Sequence, residues 1–426
     1  MTKDGTSPFL RRIPRLVVFD VEGVLIPKRR YLLFEASKLL GILGFVKMLW
    51  AGFLYESGLC SLERALQRIY RQLKGLAFTD LFKLYKKMPL MPRVKQVFQQ
   101  LKQAGCKTAL ISSGLPQAFV QNLASELGCD YAFGLDLEVV DDRLTGQIGG
   151  DALKPNGKAV ILKKIQEKEG LTKRDCATVA DDRNNLPMFG LSGIRIGYNP
   201  EFQIACKSDA VVKGELGDIM PILNGSSIKR SPISKGELIR EIIHMAGFLV
   251  PVFTMLFSLN HFFVVSLILA VTGLYVASEL ARMLGVNVPV MSTITWKAAI
   301  QPEIHEFITA PIFFAMGIIL ALIIFPPPIS YASIAIFTLG DSFASLLGKK
   351  MGNHVLPYNK GKKIEGTLFG FLFASIGASV FIGPAMSLSS MLLAVTSGMI
   401  MESLPTPVND NLTIPLAAGL TLLFLP

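Results

Sequence analysis

From residue 242 to its end the chain is a series of apolar runs separated by short polar joints, at about 242–259, 262–280, 306–325, 329–347, 366–385, 388–404 and 412–426. Each is near the roughly 20 residues that carry a helix across a bilayer. In hydrocarbon a helix satisfies its own backbone polar groups, and an open sheet edge does not. The pattern predicts an all-α polytopic membrane domain of about seven helices over residues 239–426. Hydrophobic residues reach 51% of the chain, and the excess lies in this half. Residues 1–225 read as a separate soluble domain. Between the two, Asn224-Gly-Ser-Ser-Ile-Lys-Arg-Ser-Pro-Ile-Ser-Lys235 is polar and rich in turn formers, which marks a linker over 226–238.

A polar stretch breaks the apolar half: Gly340-Asp341-Ser342-Phe343-Ala344-Ser345, then Gly348, Gly352 and Lys362-Lys363-Ile364-Glu365-Gly366-Thr367. Charges at a membrane-helix end are costly unless something charged binds there. Glycines let a backbone approach phosphates, and lysines neutralise them. Asp341 and Glu365 have the chemistry to hold a divalent metal bridging those phosphates.

The net charge is +11. In a membrane protein this first implies lysine and arginine beside anionic lipid on the cytoplasmic face. No basic-aromatic pattern or DNA-binding motif supports nucleic acid as a partner. The N-terminus has no apolar signal core, so the soluble domain is expected in the cytoplasm. The first span then starts inside, and Arg240, His244, Glu279, Arg282, the stretch from Asp341 to Thr367, Glu402, Asp410 and Asn411 all fall at the inner face. The opposite joints, Ser258 to His261, Phe325 to Ser330 and near Gly383, carry no lysine or arginine. Five cysteines, unevenly spaced and without a CxxC, fit a reducing compartment better than a disulfide framework or a zinc site.

In the soluble half, Leu16-Val17-Val18-Phe19 reads as a buried parallel strand ending in Asp20-Val21-Glu22-Gly23. Strand-like runs recur at Thr108 to Ile111, Ala177 to Ala180 and Ile194 to Gly197, with helical patterns at Val94 to Ala104 and Lys158 to Glu169. The alternation predicts an α/β Rossmann-like parallel sheet, whose ligands gather at the C-terminal strand ends. Ser112-Ser113-Gly114 and Asp181-Asp182-Arg183-Asn184-Asn185 follow two of these strands. A nucleophilic carboxylate, a second acid, a hydroxyl, a lysine and a metal-binding acid suit phosphoryl transfer. A lone acid at a strand end is more often a cap or turn; four ordered motifs are not.

These motifs, over residues 15–223, resemble the haloacid dehalogenase superfamily, in its phosphoserine phosphatase-like branch. The resemblance implies Asp20 as the nucleophile and Glu22 as the acid/base. It implies Ser112 and Lys158 on the phosphoryl group, and Asp181 holding Mg²⁺ with Asp20. Glu22, Asn184 and Asn185 fall at the family's remaining metal-site and motif positions, Asn185 where a second acid is usual. Residues 27–89 match the family's helical cap. Its apolar stretches, Leu39 to Phe45 and Met48 to Tyr55, and the basic Lys28, Arg29 and Arg30 point to a hydrophobic phosphomonoester rather than phosphoserine. The plainer alternative is that those apolar residues only pack the cap.

The membrane half, over residues 236–426, resembles the CTP-dependent dolichol, phytol and diacylglycerol kinase family. The match rests on Arg240-x₃-His244, Glu279-x₂-Arg282, Gly340-Asp341-x₂-Ala344-Ser345-x₂-Gly348-x₃-Gly352, Lys362-x₂-Glu365-Gly366-Thr367, and Glu402 followed by Asp410-Asn411. By resemblance, Gly340 to Gly352 and Lys362, Lys363, Glu365, Gly366 and Thr367 bind the CTP phosphates and Mg²⁺. The acceptor would be an isoprenoid alcohol or a prenyl phosphate, with Asp341 or Asp410 as the base. No GxxxxGK[ST] loop supports an ordinary ATP cradle. A cytidylyltransferase attacking the α-phosphate is the rival reading, and a degenerate, regulatory phosphatase domain is another.

Overall fold

The computed structural model describes residues 13–27, 36, 44, 47–48, 50–51, 54–55, 59–225, 233–283, 285–299, 307–381 and 387–424. Lys28, Arg29, Arg30 and most of the apolar stretch 39–45 lie outside them. The chain divides into two compact units, Met1–Lys229 and Arg230–Pro426.

The first unit is a seven-stranded sheet in the order β4-β3-β2-β1-β5-β6-β7. The strands are β1 (Leu16–Asp20), β2 (Lys107–Pro116), β3 (Tyr131–Val140), β4 (Arg143–Gly149), β5 (Cys176–Ala180), β6 (Ile194–Tyr198) and β7 (Ala210–Val212). All pairs are parallel except β3 with β4. Every residue of β1 and β5 is buried, as expected of strands covered on both faces. The helices are α1 (Leu62–Gln72), α2 (Phe78–Lys86), α3 (Val94–Gln103), α4 (Gln117–Leu127), α5 (Gly157–Glu169), α6 (Leu186–Gly190), α7 (Phe202–Lys207) and α8 (Ile219–Leu223). Strand order reverses across β1, between β2 and β5, and that reversal opens a crevice at their C-terminal ends.

The four expected strands are present, and three more accompany them. The β3–β4 hairpin lacks a continuous apolar run because much of it is exposed. Its turn residues, Asp141 and Asp142, both have positive φ, the conformation of a tight hairpin. The hairpin joins the cap helices through backbone bonds: the Gly75 amide to the Leu144 carbonyl (2.8 Å), the Leu144 amide to Leu76 (2.9 Å) and the Phe78 amide to Asp142 (2.7 Å).

Among its described residues the second unit is built of helices: α9 (Lys235–Ala246), α10 (Leu249–Leu256), α11 (His261–Met283), α12 (Met291–Ala298), α13 (Ala310–Ile324), α14 (Ile329–Met351), α15 (Ile364–Ser379), α16 (Leu388–Ser403) and α17 (Asp410–Phe424). Among the described residues, three helical stretches are long and apolar enough to cross a membrane: Lys235–Leu256, His261–Arg282 and Ile329–Met351. The other four apolar stretches form shorter helices, so the expected seven spans are met in part. Ser234 caps α9 with a capping box to Glu237, which starts this helix inside the expected linker.

Helix α14 is the core of this unit, buried almost continuously from Ser330 to Thr338. It packs on α15 along small residues. A Cβ on Gly366 would sit 2.6 Å from the Ala344 carbonyl oxygen, and one on Gly348 would sit 3.0 Å from Gly366 Cα. Such close backbones are how helices associate where burial from water supplies no drive.

Candidate phosphoryl-transfer sites

Asp20 ends β1 at the crevice and is buried. Its Oδ1 accepts from the Val21 amide at 2.8 Å and pairs with Lys158 Nζ at 2.8 Å. Its Oδ2 accepts from the Asn185 amide group. Burial pushes the Asp20 carboxyl up, and Lys158 opposes that push. Burial also acts to lower the Lys158 pKa, but Asp20 and Asp182 outweigh it and hold the ammonium above its ordinary value. Lys158 enters from the first turn of α5.

Gly23 follows with φ +82°, and a Cβ there would overlap the Asp181 carboxylate. The chain thus turns so that Glu22 faces β2 instead of the acids after β5. Ser112 Oγ donates to Glu22 Oε2 at 3.4 Å and itself accepts from the Leu115 amide at 2.9 Å. Loss of water, then the Asp20 charge, pushes the Glu22 carboxyl up to about 7. An acid with that pKa is able both to give and to take a proton near neutrality.

Among the described residues one set of acids is close enough to hold a metal: Asp20, Asp181 and Asp182, each offering an oxygen within 4.8 Å of the others. Three hard oxygen donors suit Mg²⁺. Glu22 is not in this set, contrary to expectation, because it is held on Ser112. Asp182 is in it, and the sequence reading had not given it a role. The Asn185 amide group donates to Asp20 and, at 2.7 Å, to Asp182 Oδ1; its oxygen accepts from Lys158 at 2.8 Å. Its oxygen is therefore spent on the lysine. Asn184 turns to Asp182 (3.1 Å) and to the Tyr55 hydroxyl (2.6 Å).

Two cap tyrosines reach the crevice. Tyr70 on α1 donates to the Gly114 carbonyl at 2.9 Å, and the Tyr55 carbonyl accepts from Arg183 at 2.8 Å. Neither stood out in the sequence, since each reads as cap core.

In the helical unit, Lys362 lies just before α15. Its Nζ is 2.7 Å from Asp410 Oδ2 and 3.0 Å from Glu402 Oε1, and it also donates to the Glu402 backbone. Thr367 Oγ1 is 3.3 Å from Glu402 Oε2. Burial acts to lower the Lys362 pKa, but Glu402, Asp410 and Asp341 together hold it above its ordinary value. His244 Nδ1 is 3.8 Å from Asp341 Oδ2, and Arg240 is 3.6 Å from Glu241. Residues from three separate stretches thus meet around Lys362, and His244 and Asp341 come together from two others.

Other expectations meet a different geometry. Asp341 and Ser345 lie within helix α14, which runs on to Met351, so the polar loop spans only 352–363. Gly340, Ala344, Gly348 and Gly366 face neighbouring helices; a Cβ on Gly340 would meet Met399 Sδ at 2.9 Å and Ala374 at 3.2 Å. Space for phosphate at these glycines is already filled by protein. Glu365 accepts from the Asn353 amide at 2.9 Å and the His354 ring at 2.7 Å, so it closes the loop. Lys363 donates to the Gly352 carbonyl at 2.9 Å. Glu279 and Arg282 form a bidentate pair (Nε to Oε2 3.0 Å), and Glu279 also accepts from the Ile308 amide at 3.1 Å. Asn411 is buried in the first turn of α17.

Residues 17–190 match the family model of the haloacid dehalogenase-like hydrolases. Phosphoserine phosphatase of Archaeoglobus fulgidus is 32% identical over 204 residues, covering 48% of this chain and 58% of that protein. Its counterpart in Methanocaldococcus jannaschii is 29% identical over 207 residues, covering 48% of this chain and 96% of that protein. A solved phospho-aspartyl intermediate analogue of phosphoserine phosphatase matches at 27% identity and a TM-score of 0.45, covering 49% of this chain and 98% of that one. The N-terminal domain of this chain is a haloacid dehalogenase-like domain with phosphoserine phosphatase-like relatives.

Proposed function

We propose that the first unit is a phosphomonoesterase working through an aspartyl-phosphate on Asp20. The observation that carries this reading is the buried Asp20–Lys158 pair at 2.8 Å beside the set of three acids. The Asp20 carboxylate attacks phosphorus, and the bond to the departing alcohol breaks. Glu22, in its acid form, gives that oxygen a proton. Glu22 then takes a proton from water, whose oxygen attacks phosphorus, releasing inorganic phosphate and restoring Asp20. Ser112 and Lys158 bind the phosphoryl oxygens. Asp20, Asp181 and Asp182 would hold Mg²⁺, which supplies charge neutralisation at the phosphoryl group. The substrate we favour is a hydrophobic phosphomonoester, supported by the apolar cap sequence. Phosphoserine, for which the similar phosphatases are named, is its competitor. Turnover of isoprenyl phosphate against phosphoserine decides between them, and phosphate trapped on Asp20 but absent in Asp20→Asn tests the intermediate.

We infer that the helical unit is an integral-membrane CTP-dependent kinase of an isoprenoid alcohol or prenyl phosphate, with the phosphatase domain in the cytoplasm. The cluster of Lys362 with Glu402 and Asp410 supports this reading. The acceptor oxygen attacks the γ-phosphorus, the bond to CDP breaks, and a carboxylate receives the proton. Asp410 is engaged by Lys362, so we assign the proton to Asp341, beside His244. The two activities on one lipid would be futile, so they act on different substrates or one limits the pool made by the other. Membranes given γ-labelled CTP and a panel of prenols and prenyl phosphates test this: CDP with a newly phosphorylated acceptor supports a kinase. Pyrophosphate with CDP-lipid supports the cytidylyltransferase.

A further inference from the structure

A cavity of about 450 Å³ lies among α9, α11, α12 and α13. Its wall is almost wholly carbon, from Leu267 on α11 to Phe314 and Ile318 on α13. The hydroxyls of Thr272 and Tyr275 in that wall donate to backbone carbonyls, each at 2.7 Å, so they add little polarity. Well-packed interiors have few voids larger than a water. An apolar cavity stays dry and takes apolar guests.

One end is different. Arg240 and His244, both on α9, are the basic residues of its lining. The His244 ring stacks on Phe314 with centroids 4.4 Å apart, and its Nδ1 is 3.8 Å from Asp341. His244 therefore forms the wall between the hydrocarbon space and the carboxylate assigned the proton. A guest needs a polar head at His244 and a carbon body behind it.

We propose that this cavity holds the head-proximal part of the acceptor alcohol, a single prenyl chain, with its hydroxyl at the end lined by Arg240 and His244. This rests on the kinase reading. An apolar cavity of about 150 Å³ takes a six-carbon ring, so this one holds on the order of fifteen carbons, roughly three isoprene units. The two chains of a diacyl lipid cannot both enter this space beside one head group, whereas a single prenyl chain can. Longer prenols leave their remaining units in the bilayer. Because bilayer chains are as apolar as this wall, the gain per unit comes from packing and is modest.

The test uses the full chain in phosphatidylcholine vesicles. A farnesol analogue carrying a diazirine on its third isoprene unit is photolysed and the labelled peptides mapped. Labelling of α11 and α13, competed by farnesol and not by added diacylglycerol, is expected. Labelling elsewhere, or equal competition by diacylglycerol, overturns the proposal. With γ-labelled CTP, kcat/KM should rise about tenfold from five to fifteen carbons and then level off. A continued rise beyond fifteen, or no dependence on length, also overturns it. Ala315→Phe and Ala298→Phe, which narrow the cavity, should move the plateau to shorter chains, and an unmoved plateau also overturns the proposal. The photolabel needs no phosphoryl transfer. Competed labelling without transfer to any prenol sustains the chain site and removes the kinase reading.

Discussion

Lys158 and Lys362 meet the same electrostatic problem in two different scaffolds. Each is a lysine largely withdrawn from water and held between oxygens: Lys158 on Asp20 and Asn185, Lys362 on Asp410 and Glu402. In the α/β unit the partners sit at the ends of parallel strands, and strand register fixes their spacing before any side chain chooses a rotamer. In the helical unit the partners come from a loop, the last turn of α16 and the first turn of α17. There the spacing depends on how closely whole helices pack. A sheet-edge site is thus built into the topology, whereas a helix-bundle site is built by its contacts.

The strongest way to break this comparison is to show that the two sites are not separate. Asp20→Asn should lower phosphatase turnover by at least ~10⁴-fold, as loss of a nucleophile does, and leave transfer from CTP within about twofold. Phosphate release assays and CDP formation on the same membranes check this; a parallel fall in both rates would mean one shared site. Lys362→Ala should cost transfer about 10²–10³-fold, the scale for losing one charge-stabilising donor, with phosphatase rate unchanged. Because that variant strands Glu402, the double variant Lys362→Met/Glu402→Gln is its control. It should recover the melting temperature and not the transfer.

Gly366→Ala separates packing from phosphate contact. Overpacking at the α14–α15 seam should destabilise the unit by about 1–3 kcal/mol and lower its melting temperature. A raised KM for CTP at unchanged melting temperature would instead return the glycine to the phosphate. The smallest effect is in pH. Glu22 must be protonated to release the alcohol, and its carboxyl is pushed up to about 7. Phosphoenzyme formation under saturating Mg²⁺ should therefore fall about tenfold per pH unit above 7 and level off below it. Burst kinetics across pH 5 to 9 measure it, and Glu22→Gln should abolish the dependence.

Chain order made the first site legible: Asp20, Ser112, Lys158 and Asp181 each follow or begin an element that periodicity identifies. Asp182 was missed because adjacent acids look alike until the backbone shows which way each points. The orientation of Glu22 depended on the turn at Gly23, which spacing alone does not give. In the helical unit the polar residues were legible as a set, and Lys362 does meet Glu402 and Asp410. The glycines were harder. A glycine beside lysines suits phosphate or a helix seam equally well in sequence, and only the facing atoms distinguish them. The extent of α14 was hidden for the same reason, since Asp341 and Lys349 resemble a loop although they lie in one helix.

The seam itself has a consequence for inhibition. Where Gly348 and Gly366 bring two backbones nearly into contact, no slack separates them, and Lys362 stands only four residues from that point. A small molecule that wedges the seam open by a methyl's width would tilt the ammonium away from its acids without touching the pocket. The spacing of the charged centre therefore depends on a seam of glycines one helical turn away.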